Sequence, residues 1–196
     1  MEVELAGQTA RVVGVESAIL AAVVAALRAN GATVGGEASR SEAPDILILA
    51  HPLVPDATYR PEALAAEAEA VASAMVARGK GRIVHLVSAA GLVPMRRHPA
   101  WSAAMASAIA GARALAMVSG PAVQVNAVAV GRVEPDDESE ATGDAAMLSH
   151  VSLGRAGTAD DVANAVLFLV DPLNSYTTGQ SLAVDGGWTT GYGRNF

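Results

Sequence analysis

Short apolar runs alternate along the chain with longer stretches whose apolar residues recur at helical spacing, a strand–helix alternation. Ala10–Val13, ending at Gly14, reads as a buried strand, and Ala32–Val34 as a brief one. Asp45–Ala50 (DILILA) is a continuous apolar run, the pattern of a strand covered on both faces. Arg82–Val87, Val123–Ala129 and Ser181–Val184 complete the strands. Between them, Ser17 caps a helix over Ala18–Ala29, and Asn30-Gly31 stops it. Pro61 opens a helix to Arg78, with Glu62, Glu67 and Glu69 towards its start and Gly79 beyond its end. Trp101–Val118 is an Ala-rich helix. Thr158 caps Ala159–Val170, with Asp160 and Asp161 in the first turn. Gly35–Pro44 reads as loop, and Glu134–Asp144 as an acidic, unpatterned and solvated stretch.

This alternation predicts a single α/β domain over 1–196 with a mostly parallel sheet. Composition sharpens the picture. Hydrophobic residues are 52% of the chain but aromatics only 4%, so the core is built from Ala, Val, Leu and Ile and favours close helix approach. A net charge of -7 argues against nucleic acid, and the absence of cysteine excludes disulfides, a thiol nucleophile and Cys-based zinc sites. Glu2, Glu4, Arg11 and Glu16 spoil a signal peptide. No apolar run is expected to span a membrane, so the expectation is a soluble cytoplasmic protein.

The chemistry turns on particular motifs. GRIVHLVSAAG (Gly81–Gly91), VQVNAVAVGRV (Val123–Val133) and SLGRAGTADDVANAVLFLVDPLNSYTTGQSLAVDGGW (Ser152–Trp188) resemble the later half of the short-chain dehydrogenase/reductase family. The resemblance is strong over 81–188 and degenerate over 1–50, the cofactor half, and it implies a Rossmann-like three-layer sandwich. It places Ser88 at the family serine that orients a substrate carbonyl. Thirteen residues on, the family's tyrosine is Trp101, and four further on its lysine is Met105. An indole N–H has no accessible acid–base chemistry, and a thioether cannot lower a neighbour's pKa as a lysine cation does. Lys80 is the only lysine in the chain, and it precedes a strand rather than lying on the helix.

The glycine turn that receives the family's pyrophosphate keeps only Gly14; Glu16 brings a negative charge there and Leu20 crowds the backbone. The family's NNAG turn becomes Leu49-Ala50-His51-Pro52, and the Pro of its later Pro-Gly turn becomes Val130. The ten residues Gly35–Pro44 extend to at most about 35 Å. They allow a return loop but not the family's helix–strand–helix. The third strand and its flanking helices are therefore expected to be missing.

The remaining polar residues are weighed against structural roles. Ser88 and Gly14 read as vestigial, and Trp101 as a side chain filling the vacated cleft. A triad of His51, His98 and Ser88 has no spacing to support it, His85 reads as a satisfied core or interface residue, and no metal-ligand spacing is present. Gly179 and Gly186-Gly187 are turn residues, and Tyr176 belongs to the family's turn. In the family, the helices here at Pro61–Arg78 and Trp101–Val118 pair across a dimer axis, and the C-terminal helix and strand build a second interface. The resemblance thus implies a non-catalytic structural or regulatory subunit without a cofactor. It would form a homo- or hetero-oligomer, the latter with an active relative. The alternatives are an NAD(P)-dependent oxidoreductase with a rearranged site, and a small-ligand module using the Trp101-lined cleft.

Overall fold

The computed structural model describes residues 1–134 and 148–190. Its strands are β1 (Thr9–Gly14), β2 (Thr33–Val34), β3 (Ile46–Ala50), β4 (Gly81–Ser88), β5 (Val123–Val130) and β6 (Ser181–Val184). The helices are α1 (Ala18–Ala29), α2 (Glu62–Arg78), α3 (Pro99–Ser119) and α4 (Ala159–Val170). The acidic stretch that begins at Glu134 lies, after that residue, outside the described residues.

Local chemistry sets the helix ends. Ser17 Oγ accepts the Leu20 N–H at 3.1 Å, and Asn30 Nδ2 donates to Ala26 O at 2.8 Å, closing α1 at both ends. Thr158 and Asp161 form a reciprocal capping box at the start of α4, each side chain accepting the other's backbone N–H. The six strands are parallel throughout, in the order β2-β1-β3-β4-β5-β6. Residues alternate between the two faces of each strand. Val84 and Leu86 of β4 join the core shared with α1 and α4, while Ile83 and Val87 face α2 and α3. The result is the expected three-layer sandwich.

The missing third strand leaves the two-residue β2 at the sheet edge, a length that offers little to an edge-pairing partner. The return to β3 is not bare loop, because Gly36–Arg40 forms a 3-10 turn. Asp45 anchors its end. One carboxylate oxygen accepts the Thr9 N–H at 2.9 Å and the Thr9 hydroxyl at 3.1 Å. The other meets Lys80 at 3.0 Å and Arg78 at 3.3 Å. The chain's one lysine is thereby held in an ion pair at the start of β4, the end of that strand away from Ser88.

Burial alone would raise the Asp45 pKa, but the Thr9 and Lys80 hydrogen bonds and the Arg78 charge outweigh it, and the value is lowered. Stability from this contact is therefore present above the ordinary carboxylate range and lost as pH falls through it. Asp45→Ala is expected to cost about 2–3 kcal/mol in urea unfolding at neutral pH, with part recovered in Asp45→Asn.

The expectation that no apolar stretch reaches membrane length is corrected by α3. Its 21 residues are long and apolar enough to cross a bilayer by length and composition. The Ala-rich sequence produces this, and the inner face of the helix packs on β4 and β5.

Candidate functional site

The chain passes from β1 to β2 on one side and returns from β2 to β3 on the other, so the C-terminal ends of β1 and β3 flank a switch point, the usual ligand position in open α/β sheets. A cleft of about 450 Å³ lies there, walled by Ser17, Leu53, Ser88, Trp101, Val133 and Trp188 among others.

Gly14 ends β1 with φ +124°, and a Cβ there would stand 2.0 Å from Ala50 O. The close passage of β1 and β3 is a sufficient reason for glycine, without a pyrophosphate. Glu16 and Leu20 line a separate depression beside it. Ser88 is buried at the end of β4, where its Oγ accepts the Ala90 N–H at 3.2 Å and starts the 3-10 turn Ala89–Gly91.

Trp101 and Met105 lie one helical turn apart on the inner face of α3. They are 2% and 0% exposed, packed in one cluster with Val87, Ile109, Ala127 and Ala129. The turn after β4 sits tightly over them, since a Cβ on Gly91 would meet the Met105 carbonyl carbon at 2.7 Å. Ser102 braces the helix start, donating to His98 O at 2.9 Å and accepting the Met95 N–H at 3.0 Å. Trp101 fills the cleft wall as expected, yet its buried Nε1 has no partner.

Histidine chemistry gathers elsewhere. His51, just after β3, is linked through Nε2 to His85 Nδ1 at 3.1 Å and through Nδ1 to the Tyr59 hydroxyl at 2.6 Å. His51 is thus joined to His85 and Tyr59 rather than to His98 and Ser88; His98 stands at the start of α3. The reading of His85 as satisfied is corrected in half, because its Nδ1 is paired while its buried Nε2 has no partner. Burial lowers His51 to about 4, and burial with the His51 charge lowers His85 to about 3. Burial and the Glu62 charge raise Tyr59 to about 12. All three are neutral at pH 7. Sequence spacing gives no sign of this trio, which depends on β3 and β4 pairing Leu49 with His85.

Tyr176 is exposed on its turn. Among the described residues, no three His, Asp or Glu side chains cluster as a metal site. The cleft can enclose a largely apolar molecule. Its lining includes Ser88, whose hydroxyl is no base at neutral pH.

A family model described as enoyl-(acyl carrier protein) reductase matches residues 62–189. The 3-oxoacyl-(acyl-carrier-protein) reductase FabG of Chlamydia pneumoniae is 37% identical over 118 residues, covering 59% of this chain and 48% of that protein. The Inactive 2-(S)-hydroxypropyl-CoM dehydrogenase 2 of Xanthobacter autotrophicus is 34% identical over 130 residues, covering 62% and 56%. The chain spans about half the length of these relatives. In fold, it is similar to a putative 2-deoxy-D-gluconate 3-dehydrogenase from Agrobacterium tumefaciens solved with bound NADP. The TM-score is 0.79 at 24% identity, over 96% of this chain and 98% of that one. A gluconate 5-dehydrogenase from Burkholderia cenocepacia, in complex with NADP and tartrate, matches with a TM-score of 0.77 at 21% identity, over 96% and 98%.

Proposed function

The chain belongs to the short-chain dehydrogenase/reductase family, and from that premise we propose that it is a non-catalytic member, a structural or regulatory subunit that assembles with an intact relative. The observation that carries this reading is the burial of Trp101 and Met105 where the family's tyrosine and lysine would stand. Carbonyl reduction in this family passes a proton from a tyrosine whose pKa a neighbouring lysine lowers. Here both positions are hydrocarbon-rich packing, and neither faces a reactant as an acid. The relative named as inactive is similar to this chain at about the same level as the reductases, which supports loss of activity as a viable state.

Assembly is favoured by the outer face of α3. Ala103, Ala106, Ala110, Ala114, Met117 and Val118 are exposed there, the last two by 85% and 77%, and Arg113 is the only charge on the helix. A face this poor in charge is a liability in a lone soluble subunit and an asset in an interface. The partner that fits this face is a family member with tyrosine and lysine intact.

The glycine-poor turn and the negative Glu16 disfavour a dinucleotide. The purified chain is therefore expected to give no calorimetric binding of NADH or NADPH at millimolar concentration and no turnover of carbonyl substrates. Co-expression with an intact relative from the same source should yield a mixed oligomer by sizing chromatography. Cofactor binding with turnover by the chain alone would favour the rearranged oxidoreductase instead, and recovery of homo-oligomers alone would remove the subunit role.

A second reading has one observation in its favour. The 450 Å³ cleft is walled by both tryptophans of the chain, Trp101 and Trp188, apolar surfaces suited to a small flat ligand. Thermal stabilisation by such a ligand without turnover would select it.

A further inference from the structure

A second cavity, of about 140 Å³, opens between α2 and α3, and none of the residues that line it lines the switch-point cleft. Small residues create it: Ala65 and Ala68 on α2, and Ala108, Gly111 and Ala112 on α3. On its sheet side lie the rings of His51 and His85. His85 is only 3% exposed, and its far nitrogen, Nε2, is buried without a partner. No step of the family's reaction uses this group.

The hydrogen-bond chain assigns the protons. A phenol is a better donor than an imidazole nitrogen and a poorer acceptor, so Tyr59 donates its O–H to His51 Nδ1. Neutral His51 then carries its proton on Nε2 and donates it to His85 Nδ1. Neutral His85 is left with its proton on Nε2. The group facing the helices is an N–H donor with nothing to accept it, a state that costs about 1–3 kcal/mol when buried.

Size and lining define what relieves it. A cavity of 140 Å³ is close to the roughly 150 Å³ that accommodates a benzene-sized molecule. Alanine, Leu115 and Pro61 supply apolar contact, while Glu62 and Glu69 at the rim disfavour an anion. We propose that the space between α2 and α3 is a binding site for a small neutral ketone, whose body fills the alanine-lined cavity and whose carbonyl oxygen accepts the His85 Nε2–H. The site is independent of the switch-point cleft and of whether the chain is catalytically active.

Cyclohexanone is the probe, followed by ¹⁵N NMR of the histidine rings in the intact chain. In the free protein, His85 Nε2 should carry a proton and Nδ1 should not. Cyclohexanone should shift the Nε2 signal saturably, with methylcyclohexane giving a weaker effect and benzoate none. Gly111→Leu blocks the cavity without crowding, because a Cβ at Gly111 meets nothing within 4 Å, and leucine is the better helix former. That variant should lose the saturable shift while keeping the free-state spectrum of His85. His85→Phe should bind cyclohexanone roughly tenfold more weakly by ligand-observed NMR. An unprotonated Nε2 would overturn the proposal, as would a shift that persists in Gly111→Leu. A signal that moves with protein concentration and not with cyclohexanone would give the cavity to a partner's side chain and overturn it equally.

Discussion

Met105→Lys is expected to lower stability by about 3–5 kcal/mol, although lysine is the residue the family places there. Met105 is fully buried in a cluster whose other members are apolar, and the 3-10 turn over Gly91 leaves no space around it. A lysine ammonium there has no carboxylate partner among the side chains of that cluster, and the cost of an unpaired buried charge exceeds any gain from helix propensity. In a chain of this size, such a loss lowers the melting temperature by roughly 6–20 °C. Met105→Leu keeps the volume and should cost less than about 1.5 kcal/mol, which separates charge from packing. Trp101→Tyr combined with Met105→Lys should still show no carbonyl turnover, because Glu16 and the absent third strand remain. A lysine variant as stable as the parent would mean that the old catalytic position is still solvated. The burial on which the non-catalytic reading rests would then be lost, and turnover by the double variant would show that Glu16 and the absent third strand do not block the cofactor.

The sequence carried those elements whose causes are local. α1 begins and ends, and α4 begins, where the side chains of Ser17, Asn30, Thr158 and Asp161 meet backbone N–H and C=O groups a turn away, and such contacts need no knowledge of the fold. The ends of β4 and β5 were less legible. Both extend further than their apolar runs because Gly81 pairs with Val123 and Ser88 with Val130, a ladder set by the partner strand. α3 starts at Pro99, two residues before Trp101, with the proline in the first turn where its missing N–H is harmless.

Within the candidate site, Trp101 and Met105 were visible through the family resemblance, which puts its tyrosine and lysine at those positions counted from Ser88. The Tyr59–His51–His85 chain was not. His85 lies in an otherwise apolar strand, and only the β3–β4 register and the fold of the loop after β3 bring the other two side chains to it. The bond between Asp45 and Lys80 is hidden for the same reason. The chain's one lysine looks like a displaced catalytic residue in sequence and is an anchor for the shortened return in three dimensions.

The buried histidine pair also makes the protein sensitive to mild acid. Both folded values lie below the ordinary 6.5, at about 4 for His51 and about 3 for His85, with desolvation the main cause in each. Below pH 6.5, the unfolded chain therefore takes up protons that the folded chain refuses, and stability falls as pH falls. Each imidazole contributes on the order of 1 kcal/mol per pH unit, so near pH 5 the pair should have removed about 3 kcal/mol, a large share of a typical domain's stability. Asp45 acts only lower, around and below the ordinary carboxylate range, so this window isolates the histidines. Urea midpoints measured across this window should fall steeply for the parent. His85→Leu should roughly halve the slope, and a variant lacking both rings should flatten it further. Imidazole carbon shifts that stay neutral down to the unfolding pH would place the proton uptake in the unfolded state, where the linkage requires it. A flat stability profile over the same window would mean that water reaches the pair, and would remove the physical basis for an unsatisfied His85 donor between α2 and α3.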